Sequence, residues 1–193
     1  MSLERFVVPD WKAPLDVPAY VAGIPATAHI KGVFPAAVVE ATKKKHVSLV
    51  NARPKYHPFA DVPLREYVPM LAEAAAGLFP DLPPREGLRK LGRASLDAFE
   101  KSMFGRIIVA SMLDFKSGLS ILGKAAAVAT PSARIELREV TGSRAIVTFS
   151  KVYTFIDSHH VGILEKLAAS SKLRVTARVW MTTLYDGDIE LTW

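Results

Sequence analysis

The chain has 193 residues, half of them hydrophobic and 23% charged, with no cysteine and a formal net charge of +6 at pH 7. This balance excludes a disordered chain, and the length suffices to bury a real core. The missing cysteines exclude a disulfide scaffold, a thiolate zinc site and a cysteine nucleophile, and fit a reducing compartment.

Residues 1–30 read as an extended N-terminal arm, because Pro9, Pro14, Pro18 and Pro25 punctuate it. A short strand is expected at Phe6-Val7-Val8, and Trp11, Tyr20 and Ile24 are expected to pin the arm to the body. The N-terminus lacks an apolar run after a basic segment, and nowhere do about 18 apolar residues follow one another. The expectation is a cytoplasmic chain with no membrane insertion.

A helix is predicted over 35–45, ending in Lys43, Lys44 and Lys45. Cations there favour the negative end of the helix dipole, and the same run could contact a phosphate. Residues 51–62 form a loop. From Pro63, Leu64, Tyr67, Val68, Leu71, Ala75 and Leu78 return to helical spacing, with a kink or new start predicted at Pro69.

The stretch 83–113 reads as the organising helix. Leu88, Leu91, Phe99, Met103, Phe104, Ile107 and Ile108 recur at spacings of three and four. Pro83 and Pro84 suit its start, while Gly92 predicts a break, with the longer helix running from Ser95. Residues 114–117 connect to a helix marked by Leu119, Leu122, Ala126 and Ala129, with Ser117 as N-cap.

From Ala133 the period changes from 3.6 to 2. Ile135 and Leu137, a turn at 141–143, then Ala145, Val147 and Phe149 describe a hairpin; a helix follows from Asp157 or Ser158; a second hairpin spans 173–193 with a turn at 185–188. The fold class expected is α+β: a helical N-terminal half packed on a C-terminal antiparallel sheet of β-β-α-β-β order. Residues 31–193 form a single domain in this reading, with helices over 31–130 and the β-β-α-β-β unit over 133–193.

These pieces resemble a known family. Ile30-Lys31-Gly32-Val33-Phe34, Pro54-Lys55-Tyr56-His57-Pro58-Phe59, Pro63-Leu64-Arg65-Glu66-Tyr67 and Leu78-Phe79-Pro80 stand before the central helix. Gly87-Leu88-Arg89-Lys90-Leu91-Gly92-Arg93, Ser102-Met103-Phe104-Gly105-Arg106, His160-Val161-Gly162 and Trp193 continue the match. Their order and spacing resemble an uncharacterised family of about two hundred residues, expanded in myxobacteria, which brings no established activity with it. More distantly, helices followed by hairpin, helix and hairpin are similar to haem-nitric-oxide-binding domains, vinyl-reductase-type ligand-binding domains and TRAPP subunits.

That fold-level likeness implies a pocket walled by the central helix, and in the haem-binding relatives this helix supplies a histidine ligand. Here no histidine lies between His57 and His159, so no cofactor is expected. The candidate ligand-binding residues are Phe99, Met103, Phe104 and Ile107, side chains that equally suit ordinary core.

Asp157-Ser158-His159-His160 is the stretch most suggestive of catalysis. A triad needs its members to converge in space, N-capping accounts for Asp157 and Ser158, and adjacent histidines leave a helix in different directions, which disfavours a shared metal. A solvated sheet face bearing Arg134, Arg138, Arg174, Thr176, Arg178 and Trp180 offers cations beside one aromatic. Lys43, Lys44, Lys45, Arg174 and Arg178 are therefore the candidate anion or nucleic-acid contacts. The glycines reproduce neither phosphate-loop nor dinucleotide spacing. The expectation is a non-enzymatic, cytoplasmic regulatory or adaptor domain that takes a small hydrophobic ligand or a protein partner, homodimerisation included. The alternative is a nucleic-acid-binding module with a basic surface.

Overall fold

The structure, a computed structural model, describes residues 5–101 and 114–193, with the side chains of 98–101 outside the description. The arm is partly helical: α1 (Val17–Ala22) is capped by the Asp16 carboxylate, which accepts from the Ala19 N–H at 2.9 Å. Pro18 stands in its first turn, where no backbone donor is required. Earlier in the arm, Val7 forms a single antiparallel bridge with Val179 rather than a full strand, and Phe6 is buried.

Two short strands, β1 (His29–Lys31) and β2 (Asp61–Pro63), pair antiparallel and frame α2 (Val33–Lys43). Neither strand is legible as an alternating pattern at three residues each. Helix α3 (Leu64–Leu78) follows directly and does not restart at Pro69. The proline forfeits one ladder bond, while Val68, Met70 and Leu71 beside it are fully buried.

Helix α4 (Pro84–Lys101) runs unbroken through Gly92, correcting the predicted break. The glycine serves tertiary contact. A Cβ on Gly92 would lie 2.0 Å from the His159 carbonyl oxygen, and one on Gly162 would lie 1.9 Å from the Arg89 carbonyl oxygen. Backbone thus meets backbone where α4 crosses the helix over Val161–Ser170. The Arg89 guanidinium flanks this crossing, donating to both Glu165 carboxylate oxygens at 2.8 and 2.6 Å, and Lys166 pairs with Asp97 at 2.7 Å.

Helix α5 (Phe115–Ala129) starts with a capping box in which Asp114 is the cap and Ser117 its reciprocal partner, reversing the expected assignment. The strands β3 (Arg134–Val140) and β4 (Arg144–Ser150) precede α6 (Val161–Ser170), and β5 (Thr176–Met181) and β6 (Gly187–Thr192) follow it. The four form an antiparallel sheet of order β3-β4-β6-β5. Both hairpins thus appear as expected, joined through the β4–β6 pairing. The fold is α+β, with a C-terminal antiparallel sheet.

Two clusters of buried side chains result. One joins α1 to α4 with Tyr153 and Phe155; the other fills the space between the sheet, α5 and α6. Helix α4 belongs to both, contributing Leu88 and Leu91 to the first and Leu96 to the second.

Candidate ligand cavity and its histidine pair

Between these clusters lies a cavity of about 240 Å³. Helix α2 contributes Val33, Phe34, Ala37, Val38 and Ala41, and α4 contributes Leu91, Ala94, Ser95 and Leu96. Opposite them stand Ile121, Leu122, Ala125, Ala126 and Ala129 of α5, Ile135 of β3, and Ile163 and Leu167 of α6. The three alanines of α5 leave room that larger side chains would fill. Space at the seam of two packed clusters is a common location for a small-molecule site.

The polar members of the wall are few and uncharged. They are Tyr67, Ser95, Thr130, Thr154, His159 and His160, and no lysine, arginine or carboxylate stands among the described lining residues. Burial pushes the Tyr67 phenol upward, so it stays protonated.

Both histidines come from an unusual segment. After β4 the chain reaches Phe155, whose φ is 54°, and then makes a π-helical turn over Ile156–His160 before α6 begins. A large aromatic side chain at positive φ is costly, and such residues concentrate at functional sites. Single π turns are likewise frequent there, since the extra residue re-aims side chains. The ring planes of His159 and His160 stand at 89°, with centroids 5.6 Å apart. They do point in different directions, as adjacent positions demand, yet both reach the cavity wall.

His160 Nε2 lies 2.8 Å from the Thr154 hydroxyl oxygen, while its Nδ1 has no hydrogen-bond partner among the described residues. His159 is 5% exposed, and neither of its ring nitrogens has a hydrogen-bond partner among the described residues. Buried polar groups are overwhelmingly paired, so this imidazole is an exception that calls for an explanation. Desolvation holds its pKa down to about 4, and burial together with its neighbour holds His160 well below the usual histidine range. Both rings are therefore neutral near pH 7.

The other members of this stretch have structural partners. Asp157 pairs with Arg85, and the Ser158 hydroxyl donates to Asp157 at 3.2 Å. Among the described residues, no three His, Cys, Asp or Glu side chains are placed to hold a metal ion. Of the ligand-binding candidates read from the sequence, Phe99 falls inside α4 with its side chain outside the description, and Met103, Phe104 and Ile107 lie outside the described residues. The histidine pair is not legible in the sequence as cavity wall; the available signal is two adjacent imidazoles at the start of the apolar run Val161-Gly162-Ile163-Leu164.

The basic candidates do not form one surface. Lys43 ends α2, and Lys43, Lys44 and Lys45 are exposed, with the Lys44 ammonium 3.5 Å from Glu40. Arg174 is exposed and precedes β5. Arg178, by contrast, lies 3.4 Å from Glu190, donates to the Phe6 carbonyl and shares that carboxylate with Arg144, whose Nε is at 2.8 Å. Asp188 receives Arg5 at 3.1 Å and Thr148 at 2.7 Å, and Arg5 stacks on Trp180. The face expected to be solvated and basic thus contains two buried acids and is partly covered by the arm. Among the described residues, no helix is long and apolar enough to cross a membrane.

The chain belongs to a protein family of unknown function, DUF2378, whose model matches residues 26–193. A comparison with curated proteins gives no match. Solved structures of H-NOX domains are similar in fold. One reported for the function of heme distortion in that family superposes with a TM-score of 0.66 at 12% identity, over 85% of this chain and 95% of that one. A point mutant of the T. tengcongensis H-NOX domain gives 0.62 at 15%, over 84% and 97%. The Fe(II) unliganded domain from K. algicida gives 0.61 at 12%, over 84% and 96%.

Proposed function

We propose that this chain is a sensor-type ligand-binding domain, non-enzymatic and cytoplasmic, that regulates a partner according to whether a small hydrophobic molecule occupies the cavity between α2, α4, α5 and α6. The observation that carries this reading is His159, buried at the wall of an apolar cavity with both ring nitrogens unpaired among the described residues. An unsatisfied buried polar group costs about 1–3 kcal/mol, and a ligand that meets it recovers that cost. The H-NOX-like fold supports the reading by analogy, since a domain of that shape carries a small-molecule group in its solved examples.

Haem itself is not matched by the described residues. Its two carboxylates would find no cationic side chain among the described lining residues, and burying unpaired carboxylates is strongly unfavourable. The central helix also offers no histidine, since His57 and His159 bracket it in the sequence.

Native mass spectrometry of freshly purified protein, followed by organic extraction, tests the reading. A mass above the 21.1 kDa polypeptide that extraction returns to the bare value is expected. Bare polypeptide throughout, with no change in thermal stability across a series of neutral apolar compounds, would contradict it.

A further inference from the structure

We infer that the cavity selects an uncharged, largely apolar molecule carrying one hydroxyl or comparable polar group, and that His159 holds that group. This rests on the cavity being a ligand site. A neutral imidazole has one donor and one acceptor nitrogen, and in His159 both are buried and without a partner among the described residues. It can therefore accept from a hydroxyl through one nitrogen or donate to an oxygen through the other. His160 is differently placed. Thr154 already engages its Nε2, which fixes the ring beside His159.

The rest of the wall sets the class. The described lining residues include no lysine or arginine to pair a carboxylate and no aspartate or glutamate to pair an ammonium, and burying an unpaired charge is strongly unfavourable. Size sets the capacity. A dry apolar cavity of about 150 Å³ holds benzene, so the 240 Å³ here admits a larger ring system.

Three matched probes test this: naphthalene, 1-naphthol and 1-naphthoate, titrated by calorimetry into wild-type protein and His159→Phe. One neutral hydrogen bond predicts that wild type prefers 1-naphthol over naphthalene by about 2- to 10-fold. The preference should vanish in His159→Phe while naphthalene binding persists, and 1-naphthoate should bind weakest. If none of the three binds, the cavity reading itself fails. Equal binding of naphthalene and 1-naphthol to wild type, or a preference that survives in His159→Phe, overturns the role of His159 and leaves the cavity standing. Tightest binding of 1-naphthoate, or stoichiometric uptake of haemin, overturns the uncharged class. Should His159→Phe fail to fold, ¹⁵N-histidine NMR of wild type decides the matter. 1-Naphthol must shift the His159 ring signals more than naphthalene does, and equal shifts refute the assignment.

Discussion

Replacing Gly162 with alanine separates local helix propensity from tertiary packing by the sign of its effect. In an exposed helix interior the change stabilises by about 1 kcal/mol. Here the new Cβ would start 1.9 Å from the Arg89 carbonyl oxygen and 3.1 Å from the Arg93 nitrogen, both backbone atoms of α4. Reaching ordinary contact at about 3.4 Å requires the helices to part by about 1.5 Å along that line. Overpacking costs about 1–3 kcal/mol or more, and a clash with rigid backbone belongs at the upper end, about 3; less the propensity gain of about 1, the net expectation is destabilisation by about 2 kcal/mol, or a Tm lower by about 4–8 °C at this chain length. Thermal unfolding followed by circular dichroism reads it directly. Gly142→Ala, where the added carbon meets nothing within 4 Å beyond its own chain neighbours, is the control and should change stability by no more than about 0.5 kcal/mol. A Gly162→Ala protein that melts at or above the wild-type temperature would refute the close-crossing argument. Gly92→Ala should behave likewise, and because its obstacle is the His159 carbonyl, it should also weaken 1-naphthol binding.

Stability should fall on acidification through the histidines. The folded pKa of His159, about 4, lies below the unfolded value of about 6.5. The unfolded state therefore gains a proton first, and stability is complete above about pH 6.5 and lost as pH falls toward 4. One such group costs about 2 kcal/mol between about pH 7.5 and about pH 5, and His160 adds in the same direction; urea unfolding at the two pH values measures the sum, and His159→Phe should flatten the slope. Glu190→Ala strips the shared partner from Arg144 and Arg178 on a site that is 1% exposed, and should cost about 3 kcal/mol in urea titration, with Glu190→Gln costing less. Asp114→Ala removes the α5 capping box and should cost about 1 kcal/mol by the same assay.

Legibility from the sequence follows the range of the interactions. Both C-terminal hairpins are readable because alternation at 134–140 and 144–150 is a local pattern imposed by one buried face, and α5 and α6 because their apolar stripes repeat every turn. Gly92 misleads for the same reason: within α4 alone it is only a weak residue, and its use depends on Gly162, far along the chain. The sheet face misleads because Asp188 and Glu190 are surface residues by type, and only the pairing of β6 between β4 and β5 buries them among Arg144, Arg178 and Thr148. The distant likeness to haem-nitric-oxide-binding domains is legible in element order, and the fold agrees with it. The cavity is not legible, since it is defined by what three small α5 residues leave empty and by a π turn that places two neighbouring imidazoles on one wall.

The most direct measurement is the dependence of Tm on 1-naphthol concentration for wild type and Ala125→Phe, whose new ring would occupy the cavity between α5 and α4. Ligand that binds only the folded state raises stability by RT ln(1 + [L]/Kd). The expected result is a Tm that climbs with concentration in wild type and stays flat in a folded Ala125→Phe. Equal climbs in both proteins, or none in wild type, would contradict a ligand cavity at this seam.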